Sequence, residues 1–176
     1  MMNKPYVLHF IMISMSVLFF HACGIYSFTG ASIPEGTETY QVNFFVNEAG
    51  NRPGSTIEPG LDQDFTVALQ DLLLNQTNLS LVGEGGDLIY EGEITQYSIT
   101  PTTSTANNTA AQNRLTMSVN VRYTNTAKEE DSFEKRFSFF YDFDANLQLF
   151  DVKDDANKEI FERITQDIFN ASLAKW

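Results

Sequence analysis

The chain is 176 residues long, 43% apolar, with 11 basic against 23 acidic residues and a net charge of −12 at pH 7. So acidic a chain repels nucleic acid through its overall field, and an anionic ligand needs a local basic patch. A single cysteine excludes an internal disulfide, so the fold must rest on its core.

After Lys4 an apolar run extends from Tyr6 to Phe20 and ends on Ala22 and Cys23. A basic start, an apolar middle and a small residue at the end are the layout of a secretory leader. The run is about 15 residues, short of the roughly 20 that cross a bilayer as a helix. A cysteine placed directly after such a leader takes a diacylglycerol in bacterial lipoproteins, and the chain is then cut before it. The usual motif is Leu, a small residue, Gly or Ala, then Cys; Phe20, His21, Ala22 and Cys23 match it at the last two positions. Each buried acyl methylene adds about 0.8 kcal/mol of membrane affinity, and two or more chains anchor stably. The alternative is ordinary secretion with a free thiol, or an uncleaved short anchor.

The expected organisation is a leader over 1–22, a lipidated tether over 23–36 and a single domain over 37–176. Removing the leader leaves 154 of the 176 residues and, with Lys4 gone, takes the charge from −12 to −13. Both histidines, His9 and His21, go with it. Without histidine, and with its one cysteine acylated, the remaining chain has no Ser–His or Cys–His nucleophile and no His- or Cys-based zinc site.

Residues 24–36 are Gly-, Ser- and aromatic-rich and read as the tether. Gly24 rather than Asp after Cys23 points, by lipoprotein sorting rules, to the periplasmic face of the outer membrane. Alternation over 39–46 predicts a strand with Tyr40, Val42, Phe44 and Val46 on one face. A Gly- and Pro-containing loop follows over 48–60. Leu61, Phe65, Ala68, Leu69, Leu72 and Leu73 recur at helical spacing and predict a helix over 61–76. A short strand over 79–82 precedes the GEGGD turn, which lacks the GK[ST] of a phosphate loop. Residues 88–100 predict a long strand, with Gly92 as bulge or kink because the apolar phase shifts between Tyr90 and Tyr97. Residues 101–113 are polar and uncharged and read as a hairpin loop.

Strand 114–124 alternates most regularly: Leu115, Met117, Val119, Val121 and Tyr123 inward, Arg114, Thr116, Ser118, Asn120 and Arg122 outward. Strand 133–143 returns with Phe133, Phe137, Phe139, Tyr141 and Phe143 inward, interrupted by Lys135. A connector over 144–154 leads to a helix over about 155–174 with Ile160, Phe161, Ile164, Ile168 and Leu173 inward. The economical architecture is α+β: two helices on one face of a small, mostly antiparallel mixed sheet of about four strands.

The blocks CGIYSFTGASIP, EPGLDQDFTVALQDLL, GDLIYEGEITQY, NRLTMSVNVRYTN and DIFNASLAKW, in that order, resemble an LptE-type lipopolysaccharide-assembly lipoprotein. The resemblance implies two helices against a four-stranded mixed sheet, no cofactor and no enzymatic activity. It implies a lipoprotein that plugs an LptD-type outer-membrane β-barrel, helps it fold and assists lipopolysaccharide into the outer leaflet. Cys23 is the implied lipid attachment. The alternative is a free-standing periplasmic lipoprotein that binds a small ligand or another envelope protein.

Phosphates of an anionic glycolipid are met by Arg or Lys. Arg114, Arg122 and Arg136 share the outward face and are the candidate lipopolysaccharide contacts. Pairing of Tyr123 with Phe133 sets Arg122 opposite Glu134, an ordinary ion pair. Pairing of Tyr123 with Lys135 sets it opposite Arg136, a like-charge pair that invites phosphate. The first is favoured. Asp142, Asp144 and Asn146 begin like a calcium loop but lack its sixth-position Gly and twelfth-position Glu. Glu91 and Glu93 share a strand face, where a glycosidase pair is conceivable and a solvated face is the simpler reading.

Overall fold

The two strongest periodicities in the sequence become the two layers of the fold. In the computed structural model, residues 33–51, 54–102 and 112–174 are described, and all fall within one compact unit spanning 31–176. The leader, Cys23, the tether up to 32, and residues 103–111 lie outside the described residues.

Among the described residues six strands form one mixed sheet: β1 (Thr39–Val42), β2 (Val46–Asn47), β3 (Ser80–Leu81), β4 (Leu88–Thr102), β5 (Gln112–Asn125) and β6 (Phe133–Asp144). The order is β3-β1-β4-β5-β6, with β2 also on β4. β1 pairs in parallel with β3 and with β4, β2 pairs in parallel with β4, and β4, β5 and β6 are an antiparallel meander. Helices α1 (Leu61–Gln76) and α2 (Leu149–Leu173) pack against each other and against the sheet, α1 under β1–β3 and α2 under β5 and β6. The expected α+β class holds; the strand count rises from about four to six because β1 and β2 separate and β3 is counted.

α1 runs over the expected residues. Gly60 enters it at φ 80°, a left-handed backbone that glycine adopts without strain, and Asp62 and Asp64 stand in the positive first turn. Leu61, Phe65, Leu69 and Leu73 are fully buried. α2 begins about six residues earlier than expected. The Gln148 N–H donates to the Asp151 carboxylate at 3.0 Å in a capping box, and Leu149 and Val152 pack on the core. Residues 144–154 read as a connector because that turn is rich in Asp and Lys.

The strand expected over 39–46 is interrupted. Val42 pairs with Tyr90 and Val46 with Glu93, so four steps along one strand match three along the other. The extra residue reverses the side-chain phase. Phe45 is therefore buried, while Phe44 and Val46, expected inside, are 59% and 56% exposed.

In β4 the register slips between Ile94 and Gln96, around Thr95, and that slip produces the change of phase assigned to Gly92. Gly92 itself pairs regularly with Val121. It is glycine for space: a Cβ there would stand 2.9 Å from the Phe45 ring and within the contact radius of the Asn120 carbonyl. β4 and β5 also run further than expected, Pro101 pairing with Asn113 and Thr102 with Gln112.

Buried tyrosines tie sheet to helices. Tyr90 bonds Ser172 at 3.0 Å, Tyr97 donates to Asn157 at 2.9 Å and Tyr40 to the Gln70 carbonyl at 3.2 Å. Burial pushes the Tyr97 hydroxyl up to about 12 and Tyr90 further. The GEGGD turn is a structural staple. The Asp87 carboxylate accepts from the Glu38 and Thr39 N–H groups at 3.0 Å and from the Thr39 hydroxyl at 2.7 Å. Those bonds, the Thr39 hydroxyl first, hold it below the usual carboxylate range.

Candidate functional site: the open face of the sheet

Both helices lie on one side of the sheet, and among the described residues no helix covers the other side. Strand alternation places on it the residues between the core positions: Glu91 and Glu93 from β4, Arg114, Ser118, Asn120 and Arg122 from β5, Glu134, Arg136 and Ser138 from β6. The residues face one another across strands and are joined by hydrogen bonds into a layer.

The layer begins at β1, where Gln41 donates to Asn43 at 2.7 Å and Asn43 to Glu91 at 3.0 Å. Arg122 then binds two carboxylates, Nε to Glu91 at 3.2 Å and Nη1 to Glu93 at 2.8 Å. Asn120 donates to Glu93 at 2.9 Å and to Glu134 at 2.8 Å, linking β4 to β6. Further along, Arg136 donates to Gln96 at 3.0 Å, and Ser118 bonds Ser138 at 3.0 Å. Arg114 forks onto Asp142 with two 2.7 Å bonds, and its guanidinium lies 3.6 Å from the Phe140 ring centroid.

The favoured register is the observed one: Tyr123 opposes Phe133, Arg122 opposes Glu134 and Asn120 opposes Arg136. Among the described residues no two arginines stand opposite each other. All three candidate arginines do share this face, but they are not equivalent. Arg114 and Arg122 are engaged by carboxylates, whereas among the described residues Arg136 has only the neutral Gln96 amide.

The pairing shifts acidities downward. Asn43 and Arg122 hold Glu91 below its ordinary value. Burial pushes Glu93 up, but Asn120 and Arg122 together outweigh it and the net shift is down. Arg114 lowers Asp142. A glycosidase acid needs a raised carboxyl, so the Glu91–Glu93 pair is unsuited to that role. Asp142 is likewise taken up by Arg114, and α2 starts at Leu149, inside the would-be calcium loop. Among the described residues no group of His, Cys, Asp or Glu is placed to hold a metal.

The lowered carboxyls lend stability that is complete above their unfolded values of about 4 and is lost as pH falls through their lower folded values. Arg122→Ala removes the main cation from Glu91 and Glu93. We expect it to cost about 1 kcal/mol at pH 7, modest because the group is partly solvated. In urea titrations the gap to wild type should close below pH ~4, as both carboxyls protonate.

Sequence reasoning put Arg122 with Glu134 and missed its bonds to Glu91 and Glu93. The signal was there: two glutamates two residues apart, on the face and at the level that the β4–β5 hairpin gives Arg122.

The LptE family profile, described as lipopolysaccharide-assembly, matches residues 37–172. The chain belongs to the LptE family. This LptE-family chain shares its fold with the solved structure of the Chlamydia trachomatis protein CT253, at 11% identity and TM-score 0.51 over 80% of this chain and 100% of that one. The structure of rare lipoprotein B from Shewanella oneidensis aligns at 16% identity and TM-score 0.42, over 74% of this chain and 89% of that one. No curated protein matches the sequence. The family match takes in all six described strands, α1, and α2 except for its last residue.

Proposed function

We propose that the protein is a non-enzymatic subunit of lipopolysaccharide assembly that occupies the lumen of an LptD-type outer-membrane β-barrel. The leader over 1–22 is removed, Cys23 carries the acyl anchor in the periplasmic leaflet of the outer membrane, and 23–36 tethers the body over 37–176. Among the described residues no helix is long and apolar enough to cross a bilayer, and the anchor supplies the attachment.

The observation that carries this reading is the open sheet face. A sheet face without a helical cover needs either water or a polar partner, and the lumen of a membrane barrel is polar. Here Arg114 and Arg122 are already paired with carboxylates, so a lumen wall can approach them without stranding a buried charge. The same layer organises lipopolysaccharide contact. Arg136, with its neutral partner, is the first contact for a phosphate, and Arg114 and Arg122 follow on the same face once a phosphate exchanges with their carboxylates.

The test is purification of the intact lipoprotein from outer membranes in mild detergent. A barrel protein retained at one-to-one stoichiometry is expected. A monomer without a barrel would refute the reading.

A further inference from the structure

In an acidic protein the uncompensated cations stand out. Arg114, Arg122, Lys128 and Lys153 are all in ion pairs. Lys135, Arg136, Lys158 and Arg163 have no carboxylate within ion-pair distance among the described residues; Lys158 lies in the groove between α1 and α2, away from the other three. Lys135 lies 5.1 Å from the Phe137 ring and Arg163 5.4 Å from the Phe139 ring, both contacts with β6 aromatics. Lys135, Arg136 and Arg163, all exposed, gather on one flank, along β6 and the part of α2 packed on it.

That flank is also the free edge of the sheet. β6 is 12 residues long and, among the described residues, is hydrogen-bonded to β5 alone. Half of its backbone N–H and C=O groups therefore point away from the sheet. Beside it runs a groove of about 520 Å³ between Lys135, Arg136 and Phe137 on one side and Asp167, Asn170 and Ala171 on the other.

We infer that the edge of β6 takes an acidic extended segment of a partner protein as an added strand, with neighbouring acidic side chains meeting Lys135 and Arg136. Strand alternation points Lys135 to the helix side and Arg136 to the open side. A single phosphate approaches from one side and reaches one of them. Consecutive residues of an added strand reach both, because they alternate in the same way. Lysines on an edge strand otherwise guard against indiscriminate pairing, and only a strand of opposite charge relieves that guard. Asp167 on the far wall confines the acidic position to the β6 side of the groove.

The inference does not depend on the barrel reading. Arg136 is shared with the proposed lipopolysaccharide contacts, but Lys135 faces the other way, so Lys135→Glu separates the two. The probe is a short fluorescent peptide of alternating Thr and Val with a central Asp-Glu, titrated into the full chain in detergent. Saturable binding is expected, weakened about tenfold or more by Lys135→Glu and by N-methylation of alternate peptide amides. Circular dichroism and melting of the Lys135→Glu protein should match wild type, and its lipopolysaccharide binding should be unchanged. Failure of the peptide to bind overturns the inference, as does equal binding of the N-methylated peptide, which would leave only an anion-attracting strip. Displacement by inorganic phosphate at matched charge points to the same strip. A dimer in sedimentation that Lys135→Glu dissolves would assign the edge to a second copy, and overturn it too.

Discussion

Replacing Phe65 with alanine should lower the free energy of unfolding by about 3–5 kcal/mol. Phe65 is fully buried and meets two aromatic rings edge-on, Phe45 at 5.1 Å and Phe161 at 5.7 Å. Those rings belong to the β1–β2 connection and to α2, so one side chain on α1 joins the sheet to both helices. Its loss leaves a cavity at the meeting of three elements, where no single one can relax to fill it. Against a total of roughly 5–15 kcal/mol, such a loss puts the fold near its limit. Urea unfolding should show a lower midpoint with an unchanged slope. Val67→Ala, two residues along α1 on a side chain 45% exposed, should change stability by no more than about 0.5 kcal/mol.

Gly92→Val should be comparably damaging, at about 3 kcal/mol or more, for the opposite reason: too much atom rather than too little. Gly92 sits in the regular part of the β4–β5 ladder, under the Phe45 ring. A side chain there meets the Asn120 backbone carbonyl as well as that ring, and backbone in the middle of a ladder cannot step aside cheaply. Phe45 would be pushed out, taking its contact with Phe65 and the bond from its N–H to Thr66. The two substitutions therefore couple: after Phe65→Ala, adding Gly92→Val should cost less than it does alone. Gly83, with open space where its Cβ would be, should accept alanine with little change.

Much of this architecture was legible because the apolar periods are long and clean. Strand β5 carries a strict alternation, and its five inward residues are all buried. Helix α1 was bounded correctly, its apolar stripe being unambiguous and Gly60 marking its start. The two strand misreadings share a cause: a single inserted residue. Around Phe44–Phe45 two phenylalanines stand side by side, and period alone cannot say which turns inward; the parallel pairing with β4 decides. In β4 the same ambiguity moved the irregularity from Thr95 to Gly92, since glycine is the usual mark of a bulge while a threonine bulge leaves no mark. The early start of α2 was hidden because its capping turn is polar.

The candidate arginines were legible as a set on one face and not as individuals. Which carboxylate each one meets depends on two registers at once, β4 with β5 and β5 with β6. Only the second was considered from the sequence, and Glu91 and Glu93 enter through the first. The cations of the β6 edge were hidden for a related reason: Lys135 read as an interruption of a core face, and its position at the end of the sheet is a property of topology.

The central claim, that the open sheet face lies against a barrel wall, is tested most directly by photocrosslinking in cells. A photoreactive residue at Thr116, in the middle of that face, should give a crosslinked product containing the barrel protein. Crosslinks from Thr116 to soluble periplasmic proteins alone, with the barrel protein present and unmodified, would contradict it.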